Sequence, residues 1–270
     1  MTNSSDSGEW LRTSVGHSTP DSITVRGHDL AAEVMGRMSF SDLAFLLTAG
    51  RTPSDGEATL FNAVLVSLAD HGLTPTALAA RLTYTGAPEA LQGAVAAGLL
   101  GGGSVFLGPV EDTALFLHEI LAEIGGEGPP DDQTLRAAAG EAVHVAVDAR
   151  RRIPGLGHPI HRETDPRTPR LYELAAEVGL LGPHLRLLEF VAVERRAATG
   201  KSLPINGAGA AGAALADLGF APSVTRGFAL LARTAGLIGH LAEEAEHPIG
   251  MRLWKEVDAR ASGGAEPETP

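Results

Sequence analysis

The sequence predicts an all-α protein, and three observations carry that expectation. Alanine, leucine and glycine dominate while aromatic residues make up only 4%, a composition suited to closely packed helices rather than to β-sandwiches. Helix-start signals recur along the chain. Against them stands one convincing strand-like run, Ser22 to Gly27, short and near the start.

Residues 1–9 are polar and expected to be loose. Ser39 or Ser41 can cap a helix ending near Gly50. Ser54 with Glu57 makes a capping box, and Phe61, Val64, Leu65 and Leu68 follow at helical spacing towards His71-Gly72. Thr74 followed by Pro75 opens the next helix. Pro88 opens one expected to be buried, running to the turn at Gly101-Gly102-Gly103. Further helices are expected over 110–124, 131–150, 169–178 (Thr168 as cap, Pro169 first), 183–198 behind Pro183, 208–218, and 223–245 behind Ser223. From Ala261 onward a polar tail is expected to be disordered.

With 270 residues and a hydrophobic fraction of 44%, the chain can bury one large core or two modest ones. A net charge of −12 argues against nucleic acid or an anionic membrane as partner. There is no cysteine, which excludes disulfides and thiolate chemistry. The N-terminus lacks the basic and apolar regions of a secretory signal. Ala90 to Val110 is uncharged, but its glycines and Pro109 suit a helix and turn rather than a membrane span. A soluble, cytoplasmic protein is the expectation.

In this acidic chain, Arg150 to Arg170 stands out. Arg150, Arg151 and Arg152 could meet a phosphorylated or carboxylated ligand. Gly155 and Gly157, one residue apart, let the backbone approach it closely. His158 follows directly, and Asp165-Pro166-Arg167 supplies an arginine suited to bidentate carboxylate binding. A solvated loop between two helices would carry the same charges.

Four other positions have two readings each. His71 ends a helix, where a structural role is preferred by position alone. His158 and His161 are three apart, as metal ligands on one helix face could be, but Pro159 intervenes and no further ligands follow from the spacing, so no metal is expected. Gly207, Gly209 and Gly212 match G-x-G-x-x-G literally. No strand–helix alternation surrounds them and Pro204 precedes them, so a helix start with small residues for close packing is preferred. Arg233 interrupts an apolar helix, either as half of an internal salt bridge or as an anion-binding group facing a pocket.

Taken together, Ala69-Asp70-His71-Gly72, the glycine segment Gly98 to Gly108, Gly155-Leu156-Gly157-His158-Pro159 with Asp165-Pro166-Arg167, and Ala232-Arg233 with Gly239-His240 resemble motifs of the citrate synthase superfamily in order. The closest branch is that of the citryl-CoA lyases, including the lyase module of ATP-citrate lyase, and the likeness runs from about Trp10 to about Trp254. The resemblance implies a large helical domain, residues 1–108 and 223–270, with a smaller helical domain, 109–222, inserted in it. It implies an enzyme that cleaves or forms a carbon–carbon bond between an acetyl-CoA-type thioester and oxaloacetate or a related 2-oxo acid. His71 would bind the acid, His158 would serve its carbonyl or hydroxyl oxygen as general acid or base, and Arg167 and Arg233 would hold its carboxylates. Arg151, Arg152, Gly155, Leu156 and Gly157 would lie against CoA. The CoA thioester is a substrate; no tightly bound cofactor is implied, and the partners are that thioester, a di- or tricarboxylate and a second copy of the chain in a homodimer. The small-residue helix from Gly207 to Ala214 could pack against that copy.

Two positions depart from the pattern. The family carries Asn-Val-Asp where this chain has Asn206-Gly207-Ala208. That aspartate moves the proton on the methyl carbon of the acetyl thioester, and alanine cannot. A late Arg-Pro, whose arginine reaches the partner subunit's site, is expected where His247-Pro248 stands, so His247 is the candidate for that contact. Phe106 lies near where citrate synthase proper has a catalytic histidine, which disfavours ordinary citrate synthase. A non-catalytic CoA-binding or regulatory homologue, and a lyase for a different 3-hydroxyacyl-CoA, are the alternatives.

Overall fold

The computed structural model describes residues 12–126 and 128–262. The loose N-terminus expected over residues 1–9, and residues 263–270 of the expected tail, lie outside them.

The one expected strand has two partners. A three-stranded antiparallel sheet is built from β1 (Gly16–Ser18), β2 (Ile23–Val25) and β3 (His28–Asp29), in the order β1-β2-β3. Arg26 and Gly27, both at positive φ, form the two-residue turn that pairs Val25 with His28. Asp29 then caps a π-helical turn over Leu30–Val34.

The rest is helical, as composition and capping predict. Ser39, not Ser41, caps α1 (Phe40–Ala49) in a capping box with Asp42, and Gly50 stops it in the left-handed conformation. The Ser54–Glu57 box opens α2 (Asp55–Ala69), and Thr74 caps α3 (Pro75–Gly86). The fourth helix, α4 (Leu91–Leu100), starts three residues later than expected and is not a buried helix: Ala94 and Gly98 are buried, while Leu100 is 83% exposed. The triple glycine leads into a π-helical turn, Gly103–Leu107, that runs straight into α5 (Gly108–Ile124). Asp131 caps α6 (Asp132–Asp148). No single described helix is long and apolar enough to cross a membrane; α4 and α5 pass that test only as a pair bent by 71°.

The later helices are α7 (Arg167–Glu177), α8 (Pro183–Thr199), α9 (Gly207–Asp217), α10 (Pro222–Glu246) and α11 (Gly250–Ala261). Two expected caps are corrected here. The hydroxyl of Thr168 donates to the carbonyl of Ile205 instead of capping α7, whose first residue is Arg167. Ser223 sits inside the first turn of α10, behind Pro222. The sequence reading missed α11 because it has no side-chain cap and follows Pro248.

One continuous core joins most of these helices. Phe45, Phe61, Phe220 and Phe228 form a mostly edge-to-face cluster at its α1–α2–α10 end, with ring centroids 4.6–5.6 Å apart and only Phe61–Phe220 tilted instead. Leu117, Leu135, Leu188 and Leu215 continue it through α5, α6, α8 and α9. A smaller cluster, Ala80, Ala94, Leu237 and Leu241, ties α3 and α4 to α10.

Buried by its own chain from Gly209 to Ala216, α9 corrects the expectation that it packs against a second copy. A Cβ on Gly209 would run into the backbone of Gly155, and one on Gly212 into the carbonyl of Val110. The glycine pattern is therefore helix packing, as preferred on sequence grounds. Because backbone cannot move aside cheaply, Gly212→Ala is expected to destabilise the fold by about 1–3 kcal/mol. Gly140→Ala, on an α6 site with nothing near its would-be Cβ, is expected to stabilise by roughly 0.5–1 kcal/mol. Thermal denaturation of the two variants checks the contrast; equal effects would contradict the packing account.

Candidate functional site

The charged segment before α7 is held against the start of α9 by backbone pairing. The N–H of Gly157 donates to the carbonyl of Pro204 (2.7 Å), and that of Asn206 to the carbonyl of Gly155 (2.9 Å). Leu156 forms a β-bridge with Ile205, and the side-chain amide of Asn206 donates to the carbonyl of Gly157 (2.8 Å). Gly155 and Gly157 both sit at positive φ, +80° and +83°, where a side chain would be strained. A Cβ on Gly155 would also press on Thr113 and Leu188. The loop is thus seated between α5, α8 and α9, and His158 emerges from it.

Asp165 and Arg167 form the second fixed part. Fully buried, the Asp165 carboxylate accepts from Nε (3.0 Å) and Nη2 (2.7 Å) of Arg167 and from the N–H of Gly207 (2.7 Å). Arg167 Nη1 also donates to the carbonyl of Ser67 (3.3 Å). Burial alone would push the Asp165 carboxyl up; the guanidinium and the Gly207 N–H outweigh it and hold the group well below the usual carboxylate range. A Cβ on Gly207 would overlap the guanidinium of Arg167. Gly207 thus leaves the space beside its own backbone to the Arg167 guanidinium.

This pair fixes a pH prediction. A depressed carboxyl contributes stability above its unfolded pKa, about 3.9, and loses it as pH falls below that value towards the folded one. Asp165→Asn should flatten the acid limb of the stability–pH curve below about pH 4. At neutral pH it should cost somewhat less than the roughly 3–5 kcal/mol of a fully buried pair, because Arg167 keeps 21% exposure. Chemical denaturation at several pH values checks both statements.

These parts line one large cavity of about 1970 Å³. It brings together His71, His158, Arg167, Arg233 and Ala208, and along another side Arg151, Arg152 and the Gly155–Gly157 backbone. Leu156 lines it while its side chain also joins the core. Arg150 is not among the lining residues, and its backbone turns away at positive φ, 53°. His247, exposed at the end of α10, does not line this chain's own cavity.

Histidine protonation follows from the hydrogen bonds. His158 Nδ1 accepts from the N–H groups of Ile160 and His161, both at 3.1 Å. That nitrogen cannot carry a proton, so neutral His158 carries its proton on Nε2 and acts as a donor. Burial lowers its pKa, opposed by Asp165 and reinforced by His161, His71 and Arg167. His71 is lowered likewise, first by burial and then by Arg167.

His71, His158 and His161 place ring nitrogens within 4.8 Å of one another, a cluster that sequence spacing alone did not complete. A metal needs an unprotonated nitrogen from each. Because the backbone occupies Nδ1 of His158 and the proton occupies Nε2, the three do not suit a metal ion.

Arg233 decides the reading left open on sequence. It is 7% exposed, forms no ion pair among the described residues, and its Nε has no hydrogen-bond partner. Burial lowers its pKa, countered by Asp70 and reinforced by Arg167. An internal salt bridge would have satisfied it; this arginine instead lines the cavity in need of an anion. The sequence reading passed over Asp165 as a working residue. Its signal was the Asp-Pro-Arg spacing, in which proline starts the helix and lets the aspartate turn back onto the arginine.

A helical fold places one buried arginine, Arg233, a second arginine and two neighbouring histidines around one cavity. The family described as "Citrate synthase, C-terminal domain" matches residues 28–255, and the chain belongs to that family. A solved citryl-CoA lyase from Hydrogenobacter thermophilus is 31% identical, with a TM-score of 0.77 and 86% of each chain covered. An ATP citrate lyase mutant from Methanosaeta concilii, in complex with (3S)-citryl-CoA, is 22% identical at a TM-score of 0.69, covering 88% of this chain and 40% of that one. The citrate synthase of Thermotoga maritima is 18% identical at a TM-score of 0.62, covering 78% and 55%. Comparison with curated proteins gives no match.

Proposed function

We propose that the chain is a citryl-CoA lyase-type enzyme, acting on a CoA thioester of a tricarboxylate to give an acetyl-CoA-type thioester and oxaloacetate or a related 2-oxo acid. The observation that carries this is the buried, unpaired Arg233 facing the same cavity as the preorganised Arg167 and the donor His158. Two arginines hold the carboxylates. Arg151, Arg152 and the Gly155–Gly157 backbone take the CoA portion.

In cleavage, the tertiary hydroxyl gives up its proton as the carbon–carbon bond breaks towards the oxo acid and the thioester enolate. His71, neutral beside Arg167, accepts that proton. The Nε2–H of His158 hydrogen-bonds that same oxygen, without transferring its proton, while the oxygen carries charge on the way to the carbonyl. Protonation of the enolate carbon falls to water, because Ala208 has no proton to give, and the hydroxide left behind takes back the proton held by His71. The nearby carboxylate, Asp165, is committed to Arg167 and Gly207. This step is therefore the slow one.

The same observation favours the second reading, a regulatory protein that binds the ligand without turning it over. Single-turnover mixing of excess protein with (3S)-citryl-CoA separates the two. Appearance of acetyl-CoA above the blank supports the lyase; binding with no product supports the regulatory protein.

A homodimer is part of this proposal. Leu100 and Ile238 are 83% and 51% exposed on α4 and α10, which touch one another. An exposed apolar set of this kind supports a subunit interface. Sedimentation equilibrium is expected to give a dimer at micromolar concentration; a stable monomer would count against it. The lining also draws on both expected domains, His71 and Arg233 from one and His158, Arg167 and Ala208 from the other, which supports a cavity at their seam.

A further inference from the structure

Behind His71 runs a chain of polar contacts that the proposed reaction does not use. Glu244, buried on α10, accepts from the N–H groups of Ile249 (2.9 Å) and Gly250 (2.7 Å) and from Arg81 Nη1 (3.0 Å). Arg81, equally buried on α3, turns its Nη2 to Glu243 and to His240 Nδ1, the latter at 3.2 Å. An arginine only donates, so His240 Nδ1 is the acceptor and its proton sits on Nε2. That Nε2–H donates to Asp70 Oδ1 (2.9 Å), while Asp70 Oδ2 accepts the N–H of Gly72 (2.8 Å).

Asp70 therefore closes the turn whose middle residue is His71. Its charge also acts on Arg233, with which it forms no ion pair. Arg233, Gly236, His240 and Glu244 share one stripe of α10 by their spacing. Gly236 lets that stripe lie directly on the backbone of Ala69, because a Cβ there would overlap the Ala69 carbonyl. We infer that His240 is a positioning residue: fixed in one tautomer by Arg81, it orients the Asp70 carboxylate and with it the turn that presents His71 to the acid-binding end of the cavity. The choice of acid as ligand rests on the function proposed above; the local geometry does not.

Two readouts keep these apart. Amide exchange at Gly72, followed by NMR on the ligand-free protein, reports the Asp70 turn directly. Calorimetry with citrate and with CoA reports the site. His240→Phe is expected to speed Gly72 exchange at least fivefold and weaken citrate at least tenfold, with CoA affinity held within threefold. His240→Gln keeps an N–H near the Nε2 position and is expected to restore both to within threefold of native.

Asp70→Asn covers the case in which His240→Phe does not fold. Gly72 and His240 donate to different oxygens of Asp70, and an asparagine replaces one of these by an NH2 donor, so one bond is lost and the same two defects are expected. Unchanged Gly72 exchange in a folded His240→Phe or Asp70→Asn variant overturns the inference. So does failure of glutamine to rescue, or equal loss of CoA and citrate, which marks a merely structural role. If the native protein binds no citrate, the functional proposal fails and the Gly72 arm alone decides this one.

Discussion

Arg233→Met is expected to remove tricarboxylate binding while raising the thermal stability of the ligand-free protein. The guanidinium is nearly buried and unpaired, its Nε is unsatisfied, and the favourable charge of Asp70 is opposed by that of Arg167. Without ligand its desolvation is offset only in part by the charge of Asp70; replacing it by a side chain of similar length removes that cost, for a gain of roughly 1 kcal/mol. With ligand bound, it makes a charge-assisted contact in a place shielded from water. Losing such a contact costs about 2–5 kcal/mol, which is at least about 30-fold in affinity. Calorimetry with citrate and differential scanning calorimetry read the two effects separately. Citrate affinity within threefold of native would mean that Arg233 does not meet the ligand. A drop in melting temperature would mean that the arginine has a structural partner.

Ala208→Asp is expected to produce hydron exchange into the methyl group of acetyl-CoA that the native chain lacks. Residue 208 lines the cavity in the first turn of α9, just beyond the cap Asn206. A positioned carboxylate there contributes about 10²–10⁴-fold to the proton transfer, or about 3–5 kcal/mol. Two influences on its pKa oppose each other. The helix N-terminus favours the ionised form, while partial burial disfavours it. Arg167 and Asp165 form a pair of zero net charge nearby, so neither influence is overwhelmed and a working base is expected at neutral pH. Solvent-deuterium exchange isolates this step. Rapid exchange by the native chain would show that another group moves the proton. No exchange in either chain, with CoA bound, would favour the regulatory reading over the lyase.

Most of the helical plan was legible because local capping chemistry decides where helices begin. Ser54 with Glu57 and Thr74 with Pro75 do what their positions predict. The misplacements share a cause: at Pro88, Pro169 and Ser223 no side-chain cap operates, and the true starts at Leu91, Arg167 and Pro222 are set by packing. The glycines of α9 were legible as packing residues, but not what they pack on. Facing Gly155 and Val110 within the chain, they leave no surface for a second copy.

The site divides in the same way. His158 and Arg167 lie in one segment whose residue types announce it. His71 looked structural in isolation, because only the fold brings the end of α2 beside His158, 5.2 Å between ring centroids. Arg233 could not be assigned until the absence of an ion partner among the described residues was visible. The donor tautomer of His158 depends on two backbone N–H groups that no sequence pattern reveals.

Calorimetric titration of the native protein with CoA tests the central claim most directly, because both the lyase and the regulatory reading require this cavity to bind it. Saturable binding at one site per chain is expected, weakened at least tenfold when Arg151 and Arg152 are both changed to alanine. No heat of binding at millimolar CoA, from a protein shown to be folded, would contradict it.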